Sequence, residues 1–61
     1  MSDRFLRRPE VETETGLSRA TIYRLMNRGD FPRPRRIALQ AVAWRASDIE
    51  NWKASREIAA S

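Results

Sequence analysis

Arginine is the side chain whose placement carries the most chemical information in this sequence. Between residues 19 and 45 the chain has seven arginines against one acid, Asp30. A planar guanidinium donates paired hydrogen bonds to a phosphate or to the edge of guanine, whereas lysine is a hydrated point charge. A genome rich in arginine codons would raise the arginine content everywhere, but it would not cluster these residues. The clustering indicates a surface that binds a polyanion. The seven are Arg19, Arg24, Arg28, Arg33, Arg35, Arg36 and Arg45.

The remaining chemistry is limited by what the composition lacks. The chain contains neither histidine nor cysteine, which removes the commonest general base, the commonest metal ligand and any disulfide. Its two glycines do not form a glycine-rich phosphate loop, and its acids are not clustered in the basic region. We therefore expect no enzymatic activity, no metal, no cofactor and no small-molecule ligand.

The size of the chain predicts a single domain over residues 1–61 that is marginally stable, because so small a domain buries only about 60% of its unfolded surface. No apolar run approaches a membrane span, and the N-terminal "MSDRFLRRPE" lacks the apolar segment of a signal peptide. We expect a reducing, cytoplasmic setting. The candidate core residues are Phe5, Leu6, Val11, Leu17, Ile22, Leu25, Met26, Phe31, Ile37, Leu39, Val42, Trp44, Ile49, Trp52 and Ile58.

Two helices separated by a tight turn must position the first arginines. "RFLR" at 4–7 is a short strand or an extended segment, and "RPEVETET" at 8–15 is predicted to be a helix that begins with Pro9 and ends at Gly16. The second helix is predicted over 18–28, with Ser18 as its N-cap and Gly29 at its end. A link this short between helices is typical of a helix-turn-helix.

The second helix has two different faces. Ile22, Leu25 and Met26 form an apolar stripe, and Leu17 can pack against Ile22 across the N-cap. No acid occurs from residue 17 to 29, although solvated helix faces commonly mix both signs of charge. Small residues on the polar face let the backbone approach a groove while the arginines reach bases and phosphates. The polar face carries Ala20, Arg24 and Asn27 near its middle, Thr21, Tyr23 and Arg28 near its edges, and Arg19 at its N-terminal end. The Tyr23 ring can pack on the edge of the core while its hydroxyl reaches a phosphate, because the two roles are compatible.

A hairpin over 36–45 and a third helix complete the domain. With Gln40-Ala41 as the turn, Ile37, Leu39, Val42 and Trp44 would share one half-buried face, and Arg36 would lie opposite Arg45. Those two arginines either face a polyanion or splay into solvent. The third helix is predicted over 47–60, with Ser47 and Glu50 as a capping box. We assign Trp44 and Trp52 to the core rather than to base stacking. The fold class is mainly α with a small β-hairpin, in the order of a winged helix-turn-helix.

The stretches "RFLRRPEVETETGLSRATIYRLMNRGDFPRP" and "AVAWRASDIENW" resemble the AlpA family of prophage regulators, which are excisionase-related winged helix-turn-helix proteins with a distant likeness to MerR-type domains. The resemblance covers roughly residues 4 to 53. It implies that the helix over 18–28 enters the major groove of double-stranded DNA and that the hairpin is a wing. Family members often have a glycine- and arginine-rich wing tip, whereas this chain has "ALQA".

The resemblance also implies residue roles. Arg19, Ala20 and Arg24 would approach bases. The phosphate contacts would come from Ser18, Thr21, Tyr23 and Arg28, with Arg35 and Arg36 in or near the wing. The expected function is sequence-specific regulation of a prophage or direct participation in excision, with further copies on adjacent sites or an integrase as partners. The alternative is a protein-interaction module of the antirepressor type, whose basic face binds an acidic partner.

Overall fold

Three helices and a three-stranded antiparallel sheet form the structure, a computed structural model that describes residues 3–59. The first strand, Phe5–Leu6, pairs with the second strand of the hairpin, which therefore lies in the middle of the sheet. This architecture confirms the predicted fold class and has the element order of a winged helix-turn-helix. In chain order the elements are β1 Phe5–Leu6, α1 Arg8–Thr15, α2 Arg19–Asn27, β2 Arg35–Ala38, β3 Ala41–Arg45 and α3 Ala46–Ala54.

The core lies between the three helices and β3. Its largest fully buried side chain is Trp44, and Ile22, Val11 and Ile49 are equally inaccessible. Leu6, Met26 and Phe31 complete the buried cluster, with Leu17, Leu25, Ala46 and Trp52 packed against it. Five predicted core residues are instead exposed, so the prediction was wrong for Phe5, Ile37, Leu39, Val42 and Ile58.

The turn between α1 and α2 is closed by hydrogen bonds over a few residues. Gly16 adopts the left-handed conformation with φ 73°, and its N–H donates to the Glu12 carbonyl at 2.8 Å. The Thr15 hydroxyl donates to the Val11 carbonyl at 2.7 Å and accepts the Leu17 N–H at 3.3 Å. The predicted bounds of the first helix and its glycine stop are thereby confirmed.

Helix α2 is capped at both ends as the sequence predicted. The Ser18 hydroxyl accepts the Thr21 N–H at 3.2 Å, which satisfies one of the unpaired donors of the first turn. At the other end, Gly29 has φ 78°, its N–H donates to the Met26 carbonyl, and Asp30 N–H donates to the Leu25 carbonyl at 2.8 Å. This pair of bonds is the Schellman motif that ends a helix at a left-handed glycine.

The register of the hairpin differs from the prediction. The turn is Leu39-Gln40, because Ala38 pairs with Ala41, and Arg36 pairs with Val42 rather than with Arg45. Tight two-residue turns that match strand twist need positive φ, which no non-glycine residue has in the described part of the chain. The strands compensate with an irregularity between Arg36 and Ala38, which is the position of a bulge. The side chains predicted to share a buried face are therefore divided, and only Trp44 of that set is buried among the described residues.

Helix α3 begins one residue earlier and ends earlier than predicted. Ser47 lies inside the helix, so it does not form a capping box with Glu50. Instead the Asp3 carboxylate accepts the Ser47 N–H at 3.0 Å and the Ser47 hydroxyl at 2.7 Å. Ala54 is the last helical residue, and the predicted end at residue 60 lies outside the described range.

Candidate nucleic-acid interface

The outward face of α2 is a continuous exposed surface of polar and cationic residues. Ile22 and Met26 anchor the opposite face in the core, so the helical period of 3.6 residues turns the intervening positions outward. We call this surface the α2 outer face, and its members are Arg19, Ala20, Tyr23, Arg24, Asn27 and Arg28, all exposed.

Most of the predicted contact residues lie on the surface of the protein. Thr21 is half-buried, and the other eight of the nine are exposed. Seven of the nine lie on α2 or its two caps, and two lie on β2. The surface positions are Ser18, Arg19, Ala20, Tyr23, Arg24, Arg28, Arg35 and Arg36.

Two hydroxyl groups at the start of α2 are bonded to each other. The Ser18 hydroxyl donates to the Thr21 hydroxyl oxygen at 3.0 Å while it accepts the Thr21 N–H. The hydroxyl proton of Ser18 is used in this contact, whereas Thr21 keeps its own hydroxyl proton to donate outward. The helix dipole also favours negative charge at this end. The start of α2 can therefore present a hydroxyl donor to an anion.

Tyr23 lies on the surface of the helix rather than in the core. Its side chain is 39% exposed, and the Arg19 guanidinium carbon is 5.6 Å from the centroid of its ring. A cation over the ring face is attracted by the ring quadrupole. This contact holds the Arg19 guanidinium beside the Tyr23 ring on the outer face.

The arginines differ in whether a carboxylate of the same chain pairs with their positive charge. Arg28 forms an exposed ion pair with Asp30 at 3.4 Å, and such pairs contribute little in water, so an incoming phosphate can replace the carboxylate. Within residues 3–59, Arg19, Arg24 and Arg36 have no carboxylate within ion-pair distance. Arg24, at the centre of the outer face, is therefore an exposed and uncompensated charge.

Arg45 is committed to the fold instead. Its guanidinium donates to Asp48 at 2.8 and 3.2 Å and lies 3.9 Å from Asp3. The hydrogen bond from Arg45 lowers the pKa of Asp48, and the nearby charges of Arg45 and Arg35 act in the same direction. Arg35 also helps to lower the pKa of Asp3, although the hydrogen bonds from Ser47 are the main cause. The positive charge of Arg35 thus partly stabilises the carboxylates of Asp3 and Asp48.

The hairpin holds Arg36 at its tip. The Arg36 Nη1 donates to the Leu39 carbonyl at 2.8 Å, so the cation lies beside the turn.

The linker from α2 to β2 is held by hydrogen bonds from both tryptophans. Trp44 Nε1–H donates to the Pro32 carbonyl at 2.8 Å, and Trp52 Nε1–H donates to the Asp30 carbonyl at 2.7 Å. Trp44 is fully buried and Trp52 half-buried against Phe31, as expected of core residues.

Two further residues lie on the exposed surface but were not among the predicted contacts. Asn27 is exposed near the middle of the outer face, where its carboxamide can form paired hydrogen bonds with adenine. Asn27 lies about 140° around the helix from the buried Ile22, and this angle could have placed it among the predicted contacts. Arg33 is exposed between two half-buried prolines in the linker.

Other kinds of site find no support in the described residues. Over residues 3–59, no group of three potential metal-ligating acids comes together. In the same range no helix is both long and apolar enough to cross a membrane.

Comparison with known proteins places the chain in a family. The family model described as Prophage CP4-57 regulatory protein (AlpA) matches residues 4–57. The chain belongs to this family. Among curated AlpA-like relatives, the "DNA-binding transcriptional activator AlpA" of Escherichia coli K12 is 39% identical over 59 residues, covering 87% of this chain and 84% of that protein. An uncharacterized protein, ORF88, of Enterobacteria phage P4 is 46% identical over 54 residues, covering 88% of this chain. This chain spans 61% of the length of the phage protein.

Proposed function

We propose that this AlpA-family protein is a sequence-specific DNA-binding regulator of a phage or prophage, and not an enzyme. The observation that carries the proposal is the α2 outer face, which follows a tight turn, is exposed along its length and has no acid from residue 17 to 29. An α-helix fits the major groove of B-DNA. The printed description of the Escherichia coli relative as a DNA-binding activator supports the same role.

In this proposal some residues of the outer face contact bases and others contact phosphates. Arg19 and Arg24 read base edges, and Ala20 allows the helix backbone to approach the groove. Asn27 is added to this group because of its central position. Ser18 acts chiefly through its cap, which orients the first turn, while Thr21, Tyr23 and Arg28 hold phosphates.

The hairpin would be the wing, spanning residues 35–45. Arg36 is its main cation, because Arg35 also acts on Asp3 and Asp48, and Arg45 is bonded to Asp48. The expected arrangement places α2 in the major groove and the hairpin over the adjacent backbone or minor groove.

The first experiment selects a preferred site from a random duplex pool with the purified protein. Affinity for that duplex is then measured by fluorescence anisotropy at several salt concentrations. If about five arginines neutralise phosphates, log K falls against log salt with a slope of about −4.5. Salt-insensitive binding, or no enrichment of any sequence, would contradict the proposal.

The second experiment uses two variants that remove the same charge at different places. Arg24→Ala removes the central cation of the outer face, whereas Arg56→Ala removes an exposed cation beyond the end of α3. We expect Arg24→Ala to lose about 1–3 kcal/mol of binding free energy and to relax the selected sequence. Arg56→Ala should retain the sequence preference.

The same pair of variants tests the protein-interaction alternative. If the protein is an antirepressor, Arg24→Ala should leave its affinity for DNA unchanged and should abolish binding to its acidic protein partner. Circular dichroism of both variants checks that the helices remain folded.

One short helix reads few base pairs, so specific occupancy requires several copies or a partner such as an integrase. We propose cooperative binding of copies side by side, at control regions or attachment sites in the bacterial cytoplasm. A gel shift on a natural control region should show stepwise complexes whose later steps are stronger. A single independent complex would contradict cooperation.

A further inference from the structure

The tip of the hairpin combines an exposed apolar side chain with a held cation. Leu39 is 85% exposed at the first turn position, and Gln40 beside it is also exposed. An isolated exposed leucine is ordinary on a protein surface. Here the Arg36 guanidinium is bonded to the Leu39 carbonyl at 2.8 Å, so an apolar end and a positive charge occupy the same turn.

The charge around this tip favours a polyanion as its occupant. From residue 31 to 44 the chain has three arginines and no acid. Of the acids in residues 3–59, all but Glu57 lie within ion-pair distance of a cation of the same chain. Glu10 pairs with Arg4, Glu12 with Arg8, and both Glu14 and Glu50 with Lys53. A second copy therefore offers the tip less complementary charge than a nucleic acid does.

The dimensions of DNA decide how such a tip can enter. The minor groove is about 6 Å wide, while two paired strands are already about 4.8 Å apart before side chains are counted. The whole ribbon cannot enter an unwidened groove, but one leucine at the turn can. Proteins that place leucine, isoleucine or proline between base steps part the stack there and kink the duplex.

We propose that Leu39 is a minor-groove wedge, which parts a flexible base step while Arg36 binds the adjacent phosphates or groove floor. This inference rests on the proposed DNA-binding function and extends it to DNA bending. It gives the "ALQA" tip a role other than the one expected of a glycine- and arginine-rich tip. Pyrimidine–purine steps, which unstack most easily, are the expected targets.

The test uses a duplex of about 30 base pairs that the wild-type protein has selected from a random pool. One copy carries fluorophores at both ends to report bending by energy transfer. Another carries 2-aminopurine at pyrimidine–purine steps, whose fluorescence rises when its neighbours unstack. The variants are Leu39→Ala, which removes the wedge, and Leu39→Met, which keeps an apolar side chain of similar volume.

A matched control is Ile58→Ala, which removes a 98% exposed apolar side chain outside the hairpin. We expect the wild-type protein and Leu39→Met to raise both signals. Leu39→Ala should bind about fiftyfold more weakly, as loss of roughly three buried carbons would give, and should leave the duplex stacked. Ile58→Ala should behave as the wild type.

Bound wild-type protein that changes neither signal would overturn the wedge while leaving DNA binding intact. An unchanged affinity and bend in Leu39→Ala would do the same. A loss of cooperativity in Leu39→Ala without loss of bending would assign the tip to contact with a second copy. If the wild-type protein selects no duplex at all, the proposed function fails, and the wedge fails with it.

Discussion

Trp44→Phe is the substitution whose effect on stability can be worked out most fully. Trp44 is 1% exposed, and its indole N–H donates to the Pro32 carbonyl at 2.8 Å. Phenylalanine keeps one aromatic ring in the core but loses the donor and the volume of the second ring. The change therefore affects the contact that holds the linker between α2 and the hairpin against β3.

Two contributions set the free energy of unfolding that Trp44→Phe should lose. The lost hydrogen bond costs about 1 kcal/mol, the typical net value for a hydrogen bond between neutral groups. The incompletely filled space in the core adds about 1–2 kcal/mol. A 61-residue chain is expected to have about 3–9 kcal/mol of total stability. The loss of about 2–3 kcal/mol is then a large fraction of the whole.

The assay is urea unfolding followed by circular dichroism, with Trp52→Phe as the control. Trp52 also donates its indole N–H to a linker carbonyl, that of Asp30 at 2.7 Å, but it is only half-buried. With a denaturant slope of about 1 kcal/mol per M, Trp44→Phe should lower the midpoint by about 2 M or more. Trp52→Phe should lower the midpoint by about 1 M, because chiefly the hydrogen bond is lost. Equal shifts in the two variants would refute the argument from burial.

Three further predictions concern local features of the fold. Ser18→Ala should destabilise the protein by about 1 kcal/mol in thermal unfolding, whereas Ser18→Asp should retain the cap; equal losses in both would contradict the capping role. Gly16→Ala should cost about 1 kcal/mol through its left-handed φ of 73° alone, because nothing lies within 4 Å of an added Cβ, and a neutral result in the same assay would argue against that conformation. The pKa values of Asp3 and Asp48 are lowered in the folded state, so the unfolded state binds more protons in acid. The stability that these two carboxylates contribute is therefore complete above their unfolded pKa and is lost as the pH falls below about 4. Unfolding midpoints measured from pH 6 to pH 2 should therefore depend less on pH in Asp3→Asn and Asp48→Asn than in the wild type, and parallel curves would count against these contacts.

The first two helices and their ends could be predicted because their signals are local. Ser18 and Thr21 are three residues apart, and Gly16 and Gly29 act on carbonyls within five residues of themselves. The apolar stripe of α2 likewise follows from helical spacing alone. The orientation of α2, with its cationic side outward, was therefore already contained in the order of residues 18–28.

The hairpin and the third helix depended on distant partners. Asp3 bonds to Ser47 across 44 residues, and no local pattern indicates that this aspartate replaces the expected capping box. The strand β1 pairs Phe5 with Arg45, which brings Asp3 to 3.9 Å from Arg45, whereas the nearer partner Asp48 is only three residues along the chain. Sequence spacing cannot distinguish a free arginine from one that a remote acid has engaged.

The sequence alone determined the helix-turn-helix, the buried stripe of α2 and the cationic character of its other side, because each depends on residues within one or two helical turns. Tertiary structure decided which arginines remain available and where the hairpin turns. Leu39 and Gln40 cannot readily adopt the positive φ of a tight hairpin turn, so the strands shift register around Ile37. That shift, which depends on pairing with β3, exposes Leu39 at the tip and places Arg36 beside it.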